Sequence, residues 1–246
     1  MEELIELRNI TAGYDNNIIL DSVNMKIHDN DFIGVIGPNG GGKTTLIKVI
    51  LGIIKPMKGE IIFKNNKTKN LIGYLPQYNI FDKAFPISIL EVVMSGLMSN
   101  KKLYQRYTAK DKALAMNLLN IVGLENYSNY KISEISGGQM QRALLCRAVI
   151  SNPKILILDE PVTYVDNTFE KEMYGLLKEW NKDMSIIMVS HDIGIISSHV
   201  KTIACVNRGV YVHKSNIIDN ETLERYNCPI DIITHGRVPH RVLKNH

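Results

Sequence analysis

The pattern of apolar and polar positions alternates between two periods along the 246 residues. Leu4 to Ile10 and Ser22 to Ile27 alternate apolar with polar residues, as half-buried antiparallel strands do. Ile33 to Gly37 is a short apolar run entering a glycine-rich stretch. Thr44 to Leu51 then repeats at helical spacing and is stopped by Gly52. Ile61–Phe63 and Leu71–Leu75 read as two further strands. Ser88 to Leu97 predicts a helix with Ser88 as N-cap and Glu91 three residues on, a capping box. Thr108 to Val122 predicts another, capped by Thr108 and stopped by Gly123. From about residue 78 to 133 the pattern is helical between strands, which predicts an inserted helical subdomain. Ile155 to Leu158 is wholly aliphatic, as a central parallel strand is. Asn167 to Trp180 predicts a helix and Ser185 to Val189 a buried strand. Thr202–Val206 and Val210–Val212 predict a hairpin around Asn207-Arg208-Gly209, followed by a tail over about 213 to 246.

Composition narrows the classes. With 45% hydrophobic residues the chain has ample core material, which argues against disorder. The net charge of +4 is scattered, with no Lys/Arg cluster dense enough to predict nucleic-acid binding. The N-terminal MEELIELRNI does not read as a signal peptide, and no apolar run approaches the ~20 residues that span a bilayer. Cys146, Cys205 and Cys228 lack CxxC spacing, as expected in a reducing compartment.

Gly37 to Thr45 reads GPNGGGKTT. Between a strand and a helix, Gly37, Gly42, Lys43 and Thr44 form the GxxxxGK[ST] pattern. A triphosphate is most readily held by backbone N–H groups at a helix N-terminus, where the helix dipole adds to the attraction. Gly40, Gly41 and Gly42 let the backbone wrap closely, while Pro38, Asn39 and Thr45 complete the stretch. Lys43 supplies a point charge for the β and γ phosphates, and Thr44 a hydroxyl for Mg²⁺. Asp159 ends the aliphatic strand, at the sheet edge where ligands sit, and is the natural Mg²⁺ anchor. Glu160 follows and suits a base that polarises the attacking water.

ISGGQMQRALLCRAV, Ile135 to Val149, resembles the signature segment of ABC-type ATPases, with Ile135 in the usual Leu slot, and stands at the family's distance from ILILDEP. The resemblance covers essentially the whole chain. It implies one ABC ATPase domain over 1–246: an α/β P-loop NTPase with a mainly parallel core sheet, an N-terminal antiparallel β subdomain and the inserted helical subdomain. It implies a head-to-tail homodimer, in which Ser136, Gly137, Gly138 and Gln139 of one copy close on ATP held by the other. Tyr14 matches the aromatic that stacks on adenine. Gln77 matches the glutamine that reaches Mg²⁺ and the water. Asp166 matches an aspartate at the dimer seam, and His191 the switch histidine on the γ-phosphate.

Within the family, three stretches resemble the ATP-binding subunits of zinc/manganese importers. They are GPNGGGKTT with glycine at 41, FPISILEVVMSGL from Phe85 to Leu97, and CPIDIITHGRVPHRVL from Cys228 to Leu243. This implies a cytoplasmic subunit at the membrane face that powers a permease, with a solute-binding protein acting indirectly. Permease docking is expected through about Tyr78 to Leu97, where Tyr78, Ile80, Phe81, Phe85 and Pro86 form an apolar cluster; the alternative for that cluster is packing under the helical subdomain. The alternatives are transport of another solute, or a non-transport role such as an assembly chaperone. His235, His240, His246 and Cys228 are candidate soft ligands for Zn²⁺, but their spacings fit no standard zinc site and the basic flank Arg237, Arg241 and Lys244 opposes a cation; the other reading is surface or dimer packing.

Overall fold

A computed structural model describes residues 2–15, 17–64, 71–77, 85–98, 101–102, 105–162, 166–190, 194, 198–213, 232–234 and 239–241. The chain divides into two compact units. The first comprises Met1–Asn66 with Lys178–His246, the second Lys67–Leu177.

In the first unit, strands β1 (Glu3–Tyr14), β2 (Asn17–His28) and β4 (Lys58–Phe63) form an antiparallel sheet in the order β2-β1-β4. β1 and β2 are both longer than their alternation predicts. The register shifts between Leu7 and Ile10, where Asn9 (φ 49°) is left-handed, and again between Ile10 and Ala12, where the left-handed Ser22 (φ 52°) lies on the partner strand. Asn24 Oδ1 accepts from the Asn9 N–H at 3.0 Å. Such a bulge breaks the period of two, so each strand reads as ending where it only bends.

Strand β3 (Phe32–Ile36) is buried at all five positions. It pairs in parallel with β7 (Ser185–Val189) on one side and β8 (Thr202–Asn207) on the other, and β9 (Gly209–His213) pairs antiparallel with β8. The predicted hairpin turn is present, with Arg208 left-handed at φ 57°. Asn181, 5% exposed, pins the starts of β3 and β7 together: its Nδ2 donates to Asp31 O at 2.9 Å and Met184 O at 3.0 Å. Helix α1 (Lys43–Ile50) follows the glycine loop and buries Leu46, Ile47, Val49 and Ile50.

In the second unit, β5 (Ile72–Leu75) pairs in parallel with β6 (Ile155–Asp159). Helices α2 (Ile89–Ser95), α3 (Ala109–Ile121) and α4 (Gly137–Val149) pack together, and α5 (Asn167–Trp180) runs on into the first unit. α2 to α4 each open on a capping box: Ser88 with Glu91, Thr108 with Asp111, Ser136 with Gln139. α4 starts at Gly137, because the Ser136 cap outweighs the poor helix propensity of two glycines. In the tail, β10 (Ile232–Thr234) and β11 (Pro239–Arg241) form a small antiparallel hairpin. Cys228, His235 and His246 lie outside the described residues. Among the described residues, no helix is long and apolar enough to cross a membrane.

A charge network ties the antiparallel sheet together. Glu6, buried on β1, pairs with Arg8 (2.8 Å), Lys26 (3.2 Å) and Lys64 (3.4 Å), and Glu3 pairs with the same two lysines at 2.8 and 3.1 Å. The hydrogen bond from Arg8, against the opposing effect of burial, holds the Glu6 carboxyl at about 2 rather than its ordinary 4.5. A lowered folded-state value stabilises the fold above the ordinary carboxylate range and ceases to do so as pH falls toward 2. Glu6→Gln is therefore expected to lower the urea midpoint at pH 7, with the gap from the native chain closing between about pH 4.5 and 2. Urea titrations of both chains across that range check it.

Candidate functional site

In the first unit, the chain leaves β3 into a loop whose shape demands glycine. A Cβ at Gly37 (φ 149°) would lie 2.1 Å from Val206 O on β8, and one at Gly41 would lie 2.8 Å from the same oxygen. Gly41 O accepts from the Arg208 N–H at 3.0 Å, and Gly41 N donates to Pro38 O at 3.1 Å. The β8–β9 turn thus straps the loop from behind. Gly42, at φ 108°, is the N-cap of α1 and turns the backbone into the helix. Asn39, Gly40 and Thr44 face solvent, whereas Gly41, Gly42, Lys43 and Thr45 are buried. Lys43 Nζ donates to Gly37 O at 2.8 Å and Pro38 O at 2.9 Å, which holds its charge within the loop it would serve. A glycine loop at a helix N-terminus, open to solvent at Asn39 and Gly40 and holding an internal ammonium, has the chemistry of a polyphosphate cradle, and the exposed Thr44 can join a hard cation there. Tyr14, at the end of β1, is 42% exposed; Lys48 Nζ donates to its hydroxyl at 3.3 Å and stands 5.6 Å from the ring centre.

In the second unit, β6 is buried throughout and ends on Asp159, only 3% exposed. Burial and then the charge of Asp159 push the Tyr74 phenol up to about 12. Glu160 is left-handed at φ 50°, an uncommon conformation for a glutamate, at a bend where the chain leaves β6. Its Oε2 accepts from Gln77 Nε2 at 3.1 Å, so the structure joins these two predicted groups directly. Ser136 is exposed at the head of α4; its Oγ accepts from Gln139 N at 3.2 Å, and Gln139 Oε1 accepts from Ser136 N at 2.9 Å. Gly137 and Gly138 occupy the first turn, where N–H groups have no intrahelical partner. Asp166 caps α5: its Oδ1 accepts from Phe169 N at 2.9 Å and Thr168 N at 3.1 Å. These N–H groups, the Phe169 one first, and the nearby Arg142 hold its carboxyl below the usual range. His191 lies outside the described residues, as do Tyr78, Ile80 and Phe81.

Two residues that the sequence reading passed over hold this second set in place. Gln141, 1% exposed, donates from Nε2 to Pro161 O at 3.2 Å, and Arg142 Nη2 donates to Asp166 Oδ2 at 3.0 Å. Their adjacency on the helix headed by SGG was the available signal.

The sequence model of the ABC transporter family matches residues 20–163. The chain belongs to the ABC transporter family. A probable metal transport system ATP-binding protein of Chlamydia muridarum is 38% identical over 93% of this chain and 97% of its own length. A zinc uptake system ATP-binding protein of Listeria innocua is 36% identical, with 85% of each chain covered. Among solved structures, a metal-chelate type ABC transporter in an inward-facing conformation matches with a TM-score of 0.83 at 24% identity, covering 98% of this chain and 97% of that one. The P-loop α/β fold expected from the motifs is thus the fold of this ABC-type ATPase.

Lys43→Ala is expected to weaken binding of a fluorescent ATP analogue by roughly ten- to a hundredfold, the loss of a charged hydrogen bond. Titration of the purified chain, with circular dichroism to verify folding, checks it.

Proposed function

We propose that this chain is the ATP-hydrolysing subunit of an importer for a divalent metal ion such as zinc or manganese, working as a homodimer beneath a separate permease. The observation that carries the metal reading is the likeness, over most of the chain, to subunits named for metal transport in Chlamydia muridarum and for zinc uptake in Listeria innocua. The solute-binding protein of such a system acts only indirectly, and the chain sits at the cytoplasmic face of the membrane.

The residue roles follow from their chemistry. Tyr14 stacks on adenine; the backbone from Gly37 to Gly42, with Pro38 and Asn39, wraps the phosphates; Lys43, Thr44 and Thr45 complete that cradle. Thr44, Asp159 and Gln77 hold Mg²⁺, which when bound neutralises charge developing on the phosphates. Glu160 accepts a proton from the attacking water and Gln77 orients it; the Gln77–Glu160 hydrogen bond already pairs the two. Ser136, Gly137, Gly138 and Gln139 of the second copy present their helix N-terminus to the γ-phosphate, with Asp166 at the seam and His191 on the same phosphate. A chain with two backbone anion cradles, each opening a helix, suits a dimer that shares each nucleotide between copies.

Permease docking falls on the segment from about Tyr78 to Leu97. Its described part supports this: Phe85 is 62% exposed beside a cavity of about 380 Å³ lined by Ile87, Val92, Met140 and Leu144. An apolar recess with an exposed aromatic rim suits a short amphipathic helix from a partner.

Glu160→Gln is expected to bind ATP but turn over roughly 10²-fold more slowly or worse, and to run as a dimer on a sizing column with ATP and Mg²⁺. A monomer under those conditions counts against the shared site. In the source cell under metal limitation, the same variant should lower zinc or manganese selectively, read by mass spectrometry of whole cells. An unchanged metal profile with an active native ATPase would assign another solute or a non-transport role.

A further inference from the structure

Arg142 sits six residues after Ser136 on the signature helix α4, about 9 Å further along it. Three groups converge on its guanidinium. Nη2 donates to Asp166 Oδ2 at 3.0 Å, Nη1 donates to Val122 O at 3.3 Å, and the guanidinium carbon lies 4.0 Å from the ring centre of Phe169. Phe169 itself is 1% exposed, so the ring is a fixed platform in the first turn of α5. Asp166 is held from both sides, Oδ1 by the N–H groups of α5 and Oδ2 by Arg142. Its side chain is nevertheless 63% exposed. An ion pair this exposed contributes little to stability. What the three contacts together supply is orientation, through a planar, forked donor that a lysine cannot reproduce.

We propose that Arg142 is a positioning residue for ATP turnover: it locks Asp166 to the signature helix, so that engagement of Ser136 with nucleotide is transmitted to the Asp166 segment. The neighbouring residue works in the same direction. Gln141 holds Pro161 O, next to Glu160, on the same helix. Successive residues of α4 therefore grip the chain just after Glu160 and again at Asp166, and a shift of α4 moves both. The inference rests on the seam roles given above to Ser136 and Asp166, and it adds what couples them.

The test is a double-mutant cycle on ATP turnover in the purified full chain, using Arg142→Ala, Asp166→Ala and their combination. Arg142→Ala should lower kcat by roughly ten- to a hundredfold, as misplacement of a positioned group does, with KM within about twofold of native. Arg142→Lys, which keeps the charge and loses the fork and the plane, should recover little of it. The combined variant should turn over no more slowly than Asp166→Ala alone, because Arg142 acts through Asp166. Phe169→Leu, which keeps an apolar side chain under the guanidinium but removes the ring, should give an intermediate loss and serves if either alanine variant fails to fold. Losses that multiply in the combined variant, or native kcat in Arg142→Ala, would overturn the inference while leaving the proposed function standing. A native chain without ATP turnover would sink both.

Discussion

A cradle made of backbone N–H groups binds a polyanion only if the backbone cannot drift, and the first unit is organised around that requirement. The glycine loop has no side chains of its own to anchor it between Gly40 and Gly42. Its rigidity comes from β3, buried at every position and hydrogen-bonded in parallel to β7 and β8. Burying each of the apolar side chains Phe32, Ile33, Val35 and Ile36 contributes on the order of 1.5–3 kcal/mol, and a one-residue slip would turn each to the opposite face. From this root the loop passes so close to Val206 O that residues 37 and 41 have no room for a Cβ. Glycine there serves two ends at once: packing against the strand behind, and access for a ligand in front.

The second unit places its chemistry by the same means. The aliphatic run Ile155–Leu158 is buried and releases the chain into polar residues at its carboxyl end, so Asp159 stays buried and Glu160 follows in a left-handed conformation. The role proposed for Glu160, polarising a nucleophile, calls for a fixed direction more than for burial, and the hydrogen bond from Gln77 supplies one. Charged pairs elsewhere have a different use. The Glu3 and Glu6 network on the antiparallel sheet satisfies a carboxylate that burial would otherwise destabilise, and it lies among residues to which no step in turnover is assigned.

How much of this was legible depended on whether the signal was local. The caps at Ser88 and Thr108, the helix at Asn167–Trp180 and the strand at Ser185–Val189 stand as the pattern predicted, because each is set by residues within one element. β1 and β2 read short because Asn9 and Ser22 bend the strands where the alternation breaks. The glycine loop was recognisable, but the reason for glycine at 41 was not: the atom that excludes a side chain belongs to Val206, 165 positions away by number. Arg142 and Gln141 were silent for the same reason, since their partners Asp166 and Pro161 are reached only after the chain has passed through a strand.

The three capping boxes show how one local device is put to different ends. At α2, the N–H groups of Ile89 and Leu90 are taken by Tyr130 O at 3.0 Å and Ser128 O at 2.9 Å, so this helix end is closed by its own protein. At α3, Lys101 pairs with Asp111 of the box, and charge is balanced at that N-terminus internally. At α4, the cap residue is exposed, its Oγ takes only the Gln139 N–H, and the Gly137 and Gly138 N–H groups have no acceptor among the described residues. The dipole and the orphan donors are common to all three helices. What suits the third one to an external anion is that two of its first-turn donors have no nearer acceptor among the described residues, and those donors belong to two glycines whose helix propensity is poor. The fold tolerates that local cost because α4 is held along its length by Met140, Leu144 and Leu145 in the core and by the Gln141 and Arg142 contacts beside it.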